Sequence, residues 1–332
     1  MSLFRLAAHS TTANARRYLS TAPTPTKGSS SLATWLILAG TAGVGAAGYM
    51  LMKDTQKPKQ LKSPLDPGNF VDFKLTKVEP YNHNTSRFIF ELSDGQASLL
   101  PVASCVVVRS SDPEALKDPK GKPIIRPYTP ISPSDKEGEL VFLIKKYDNG
   151  NASKYIHSMK PGESLSIKGP FPKFDFKINE FDEVALIGGG SGITPLYQIL
   201  TRALSDKTNK TKFKLLFSNV TEADILLREE FDALKKKYPD TFDVVYVLDK
   251  PDSKWQGPSG FINADLVKKH VAPASLKEKV KIFICGPPGQ VAAVAGKKDG
   301  GKQGEAGGIL KELGYTADQS HSVANLQQIY KF

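Results

Sequence analysis

The chain has 332 residues, 40% hydrophobic and 24% charged, enough for two domains with cores of their own. Seven of its eleven net positive charges fall in residues 1–62, where eight Lys and Arg face Asp54 alone. The remainder therefore lacks the dense basic surface of a nucleic-acid binder, although a mildly basic face for an acidic protein partner stays open. Cys105 and Cys285 stand far apart and outside any C-x-x-C spacing, which excludes an iron–sulfur cluster, a structural zinc or a c-type haem held in this way.

No Asp or Glu occurs before residue 54, and Arg5, Arg16 and Arg17 are mixed with Ser, Thr, Ala and Leu. Residues 1–30 therefore read as a mitochondrial targeting segment, with the outer membrane expected and a processed intermembrane-space form beside it. Residues 33–52 carry no charge, have Trp35 and Tyr49 near their ends, and would span roughly 30 Å as a helix, the thickness of a hydrocarbon core. The expected element is a single transmembrane helix over 31–52, a cleavable sorting signal being the alternative, followed by a polar linker over 53–64.

Residues 65–176 contain short alternating or β-branched runs at 71–78, 87–92, 105–109, 124–126, 140–145 and 165–168, separated by Gly, Pro, Asp and Asn. One helical stretch is expected, at 152–159. This pattern predicts an antiparallel β-barrel or sandwich. Within it, Arg126-Pro127-Tyr128-Thr129 sets a cation, a flat ring and a hydroxyl on a backbone stiffened by Pro127 and Pro130; an edge strand ending in a proline turn is the plain alternative. Lys145, Tyr147 and the loop ending in Ser153 form a second basic, hydroxyl-bearing patch.

Residues 181–332 alternate strands with helices, predicting a parallel sheet covered on both faces, with ligands at the C-terminal strand ends. The strand at 184–187 runs into Gly188-Gly189-Gly190-Ser191-Gly192. Thr194 is expected to cap the next helix and Pro195 to open it, with Leu196, Ile199, Leu200, Ala203 and Leu204 on its apolar face. Such a turn suits a phosphate or an aromatic ring brought close to backbone. Further strands at 213–217, 244–248 and 281–285 lead to expected helices at 221–238, 263–270 and after Pro288. Asp249 ends its strand, where a carboxylate accepts hydrogen bonds from ribose hydroxyls and repels a 2′-phosphate, or simply closes a turn. Cys285 has no basic partner nearby in sequence and reads as inert core or as a thiol packed on a nicotinamide. Residues 297–308, rich in Gly and Lys, read as a flexible surface loop.

In combination and order, RPYTPIS (126–132), KGP (168–170), GGGSGITPLYQ (188–198), SNVTEADILLREE (218–230) and ICGPP (284–288) resemble the NADH–cytochrome b5 reductases of the ferredoxin-reductase-like flavoproteins, most closely the fungal mitochondrial form. The resemblance covers about residues 65–315. It implies an FAD-binding barrel over 65–176, an NADH-binding α/β domain over 181–332, and electron transfer from NADH through FAD to cytochrome b5 or a similar one-electron haem acceptor. By the same resemblance, Arg126 would contact the FAD pyrophosphate, Tyr128, with Pro127 before it, would lie beside the flavin, and Thr129 would hydrogen-bond near its reactive nitrogen. Lys145, Tyr147, Ser153 and Thr194 would contact FAD or the incoming nicotinamide. Gly188, Gly189, Gly190, Gly192, Asp249, Cys285, Gly286 and Pro287 would hold NADH, so that Thr129 and Cys285 are the expected catalytic pair. His83 matches a family histidine or simply sits in a solvent-facing loop, and is not counted among the site residues; no metal is implied, and a monomer is expected. Ala152 stands where the family commonly has Met, Gly289 where it has Pro or a bulky apolar residue, and 320–328 reads as an insertion before the final aromatic. Rival readings are a reductase module for another acceptor, an NADPH-linked relative, and a non-catalytic nucleotide-binding membrane protein.

Overall fold

Alternating burial along six strands builds the first half of the described chain into one antiparallel sheet: β1 (Val71–Pro80), β2 (Thr85–Glu91), β3 (Ser104–Ser110), β4 (Arg126–Tyr128), β5 (Glu139–Lys145) and β6 (Ser164–Pro172), ordered β4-β3-β6-β1-β2-β5. The computed structural model describes residues 60–316 and 327–332. The expectations for the targeting segment and the anchor, and most of those for the linker and the 320–328 insertion, lie outside the described residues. Among the described residues no helix is long and apolar enough to cross a membrane.

Phe88 and Phe90, two apart on β2, point to the same face, and Phe142 sits opposite Phe88 on β5. With Leu75, Val106, Val108, Leu165 and Ile167 they form a closed apolar core. The two sheet edges meet just beyond β4, where the Ile131 N–H donates to the Val141 carbonyl (2.8 Å) and the Val141 N–H to Ser132 Oγ (3.1 Å). The sheet thus curls on itself as a barrel with a short seam. Helix α1 (Asn151–Ser158) closes one end, inserting Ile156 into that core. Strand β4 starts later than its sequence pattern suggests. The Ile124 N–H is taken by the Leu116 carbonyl, and Pro127, which cannot donate, is tolerated because β4 is an edge strand.

The second half is a parallel sheet ordered β11-β10-β7-β8-β9, from β7 (Glu183–Gly189), β8 (Lys212–Asn219), β9 (Phe242–Leu248), β10 (Val280–Cys285) and β11 (Ile329–Lys331). Alternate β7 residues feed opposite cores. Leu186 packs with α2 (Ile193–Ser205) and α3 (Arg228–Lys237), whereas Ala185 and Ile187 pack with α4 (Ala264–His270), α5 (Pro288–Ala295) and α6 (Gly308–Glu312). The predicted apolar face of α2 is buried at all five positions.

Two local expectations are corrected, and one strand is added. Thr194 does not cap α2: the glycine turn winds straight into the helix, Gly192 takes the cap position, and Thr194 Oγ1 donates to the Ser191 carbonyl at 3.4 Å. The helix expected over 221–238 is broken, because Thr221 and Asp224 close a capping box around a short 3-10 turn and Leu227 adopts φ 57° before α3 begins. The C-terminal residues form β11, which sequence periodicity did not reveal.

The halves share a core, in which Ala103, Leu143 and Phe174 from the barrel side join the cluster that holds the apolar face of α2. Polar ties cross the same junction. The Ser104 N–H donates to Gln198 Oε1 (3.0 Å), Asn82 Nδ2 to the Ala223 carbonyl (2.9 Å), and the Leu227 N–H to the Tyr81 hydroxyl (2.7 Å). Arg87 pairs with Glu230, and His83 Nε2 lies 3.5 Å from Asp224 Oδ1.

Candidate functional site

Between the barrel and the C-terminal ends of β7 and β10 lies a cleft of about 720 Å³. From the barrel come Ser104, Cys105, Pro127, Tyr128, Thr129, Lys145 and Tyr147; from the parallel sheet come Gly189, Ser191, Gly192, Thr194, Pro195, Cys285, Gly286 and Pro287. A third wall is made of Lys298, Gly301, Gln303, Tyr330 and Phe332. The lining includes Lys145, Lys173 and Lys298 but no Asp, Glu or His side chain. Such a cleft favours an anionic or polar aromatic ligand and offers neither paired acidic side chains nor an imidazole.

On the barrel side, Tyr128 is the flat face. Burial, with Tyr147 nearby and Arg126 opposing, pushes its phenol up to about 12, so it stays neutral. Lys145 Nζ is 3.0 Å from Asp224 Oδ1, a largely buried ion pair between the two halves, and the Tyr147 hydroxyl meets Ser191 Oγ at 2.6 Å. Ser104 is 2% exposed, and its Oγ has no hydrogen-bond partner among the described residues. A buried hydroxyl without a partner is a rarity that a ligand's polar edge would satisfy.

On the other side, bare backbone is enforced by contact. A Cβ on Gly192 would stand 2.5 Å from the Cys285 carbonyl oxygen, and one on Gly189 would strike the Gln290 side chain and Pro287. Cys285 is pushed up to about 12 by burial, so its thiol is neutral and no nucleophile.

Five expected residues do not line the cleft. Arg126 is exposed at its rim with Nη1 donating to the Ile125 carbonyl (2.8 Å). Ser153 is spent internally, accepting from the Tyr147 N–H (3.1 Å) and donating to the Gly150 carbonyl (3.0 Å). These two bonds shape the Tyr147 turn. Gly188 is buried beneath the turn, and Gly190 takes φ +50° within it. Asp249 lies at the end of β9, two strands from β7, with its N–H bonded to the Asn219 carbonyl (2.9 Å). The Asn219 carboxamide there is buried with no partner among the described residues, and Phe261 stands 77% exposed beyond the Leu248–Ser259 bridge.

Sequence reasoning missed Ser104, Phe261 and the third wall. Ser104 and Phe261 carry no motif. The wall comes from a loop and a C-terminal strand whose relation is purely tertiary.

A model of the oxidoreductase FAD-binding domain matches residues 72–176, and one of the oxidoreductase NAD-binding domain matches 186–296. Fold and cleft thus define a two-domain flavin- and nicotinamide-dependent oxidoreductase. The chain is 44% identical to NADH-cytochrome b5 reductase 2 of Mycosarcoma maydis, over 96% of this chain and 94% of that one. It is 46% identical to the Botryotinia fuckeliana protein of the same name, over 79% and 72%. Its fold is similar to the cytochrome b5 reductase domain of Ulva prolifera nitrate reductase, with a TM-score of 0.68 and 25% identity over 82% of this chain and 100% of that one. The CS-b5R domains of human Ncb5or give 0.58 and 27% over 79% and 69%. The chain belongs to the NADH–cytochrome b5 reductase family of FAD-dependent oxidoreductases.

Proposed function

We propose that the chain carries electrons from NADH, through FAD in the inter-domain cleft, to cytochrome b5 or a similar one-electron haem acceptor. The observation that carries this reading is the cleft itself, with an aromatic and hydroxyl face on one side and close-packed bare backbone on the other, and no paired acidic side chains between them. The residues present fit FAD. Tyr128 offers a ring face, Thr129 and Ser104 offer hydroxyls, and Arg126 at the rim suits the pyrophosphate. Hydride acceptance from NADH and release of single electrons are supplied by FAD when bound.

The work left to the chain is to stack, orient and exclude water. Gly189, Gly192, Gly286 and Pro287 leave room for a nicotinamide against the flavin, flanked by Thr194 and the neutral Cys285 thiol. Asp249 and the Asn219 carboxamide, which has no partner among the described residues, would receive ribose hydroxyls, and exposed Phe261 an adenine face. Lys145, held by Asp224, keeps a positive charge beside the cleft without a mobile side chain.

The same reading includes a single membrane anchor over 33–52, mitochondrial import through residues 1–30 with residence in the outer membrane or a processed intermembrane-space form, and a monomeric state. Its support is the uncharged stretch with aromatic ends and the acid-free N-terminal segment.

The test is an absorbance spectrum of the unit from residue 60 onward, before and after anaerobic NADH. Flavin bands that bleach, then recover on adding oxidised cytochrome b5, are expected. Bleaching without cytochrome b5 reduction removes the named acceptor, and folded protein that takes up no FAD removes the whole reading.

A further inference from the structure

Residues 296–305 leave the end of α5 and return to the cleft. Gly296, Gly300 and Gly304 take positive φ of 85°, 57° and 63°, which lets the segment fold tightly instead of swinging free. Opposite lies β11, the edge strand of the sheet, with Lys331 fully buried as the penultimate residue. The Lys331 ammonium reaches into the loop, 2.9 Å from the Glu305 carbonyl, 3.1 Å from that of Lys297 and 3.5 Å from that of Gly296. An ammonium has three N–H donors, and three carbonyls meet it. None of these partners is a carboxylate. Burial, then the neighbouring Lys298 charge, lowers the Lys331 ammonium from its ordinary value.

The backbone of Lys331 is gripped as well. Its N–H donates to Gln303 Oε1 (2.6 Å), and its carbonyl accepts from Gln303 Nε2 (3.0 Å). The carboxamide thus occupies both free groups of an edge strand, as a neighbouring strand would. Residues on either side of Lys331 turn to the opposite face: Tyr330 and Phe332 line the cleft, as do Lys298, Gly301 and Gln303 from the loop. The Phe332 ring is 5.1 Å from Tyr330 and 5.8 Å from Phe283, and its N–H donates to the Ile284 carbonyl. Loop and strand therefore share one clasp and present one wall beside Cys285 and Gly286.

A buried cation held only by carbonyls is a weak source of stability compared with an apolar side chain of similar volume, and its better-attested use is to fix one arrangement among several. We propose that Lys331 and Gln303 are positioning residues, which lock the 296–305 loop to the C-terminal strand so that this wall sets the affinity for the nicotinamide end of NADH. The inference rests on the reading that the cleft takes nicotinamide on its α/β side.

The test uses FAD-loaded protein carrying Lys331→Met, which keeps length and removes charge, Gln303→Ala, or both. Each single variant is expected to raise the KM for NADH about fivefold, and the double variant little further, since both changes open the same clasp. The FAD dissociation constant of Lys331→Met should stay within about twofold of wild type, because the wall belongs to the other half of the cleft. Faster amide hydrogen exchange over 297–305 is expected in both single variants. A lowered Tm with unchanged KM would reduce the clasp to structural support, and fully additive effects would separate the two residues; either result overturns the proposal. Should Lys331→Met fail to fold, Gln303→Ala alone decides between them. Wild-type protein whose flavin does not bleach with NADH would instead strike the underlying reading.

Discussion

On the barrel side of the cleft the chain presents side chains, Tyr128, Thr129, Lys145 and Tyr147, whereas on the α/β side it withholds them at Gly189, Gly192 and Gly286. The first half recognises by chemistry and the second by proximity, because a bare backbone lets a ring or a phosphate approach its N–H groups. Substitutions should therefore fail differently. A changed barrel residue loses a contact, while an added atom on the α/β side displaces backbone.

The sharpest test of that difference is Gly192→Ala. One methyl group would lie 2.5 Å from the Cys285 carbonyl oxygen, where the neighbour is main chain and cannot rotate away. A loss of about 3 kcal/mol in urea unfolding, with NADH binding lost, is expected. Normal stability and NADH affinity would end the proximity account.

Asp224→Asn probes the point where the contrast blurs, since Lys145 is a barrel side chain fixed by the other half. Removing the carboxylate leaves a largely buried ammonium unpaired, an expected loss of about 3 kcal/mol. Burial raises the Asp224 carboxyl, but Lys145 and Thr221 outweigh it and hold it below its ordinary 3.8. The pair's stabilisation is thus complete above pH 3.8 and is lost as pH falls through the lower folded value. Acid unfolding in that window should be shallower in the variant. An equally steep loss would mean that other carboxylates dominate.

Asp249→Asn examines side-chain recognition placed on the backbone side. The ratio of kcat/KM for NADH over NADPH should fall about tenfold, and an unchanged ratio would return Asp249 to a turn residue. Tyr147→Phe is the smallest change. It removes the 2.6 Å contact to Ser191 from a ring that is already 46% exposed, so about 0.5–1 kcal/mol is expected. A larger loss would show that this inter-domain tie carries more than one exposed hydrogen bond.

Elements were legible where their signal is local. The period-2 runs of the barrel and the i, i+3, i+4 face of α2 follow from steric rules over a few residues, and both appear as expected. Eleven of the expected site residues converge on one cleft because they sit at strand ends or on the RPYT turn, positions that a chain of alternating elements brings together. Ser153 sits off the cleft wall, its hydroxyl accepting from the Tyr147 N–H and donating to the Gly150 carbonyl, local partners that its sequence context does not record. The 297–308 loop was read as free because glycine and lysine are common in mobile segments, yet its carbonyls are collected by a lysine more than twenty residues away.

By itself the sequence determined the two-domain plan, the glycine turn and the chemistry offered at each strand end, since these depend on periodicity, on backbone freedom and on side-chain type. Only the tertiary structure decided the inter-domain pair of Lys145 and Asp224, the Ser104 hydroxyl that has no partner among the described residues, and the clasp that brings Phe332 to the cleft. Each depends on which groups remain unsatisfied after distant segments pack, a balance that no local pattern records.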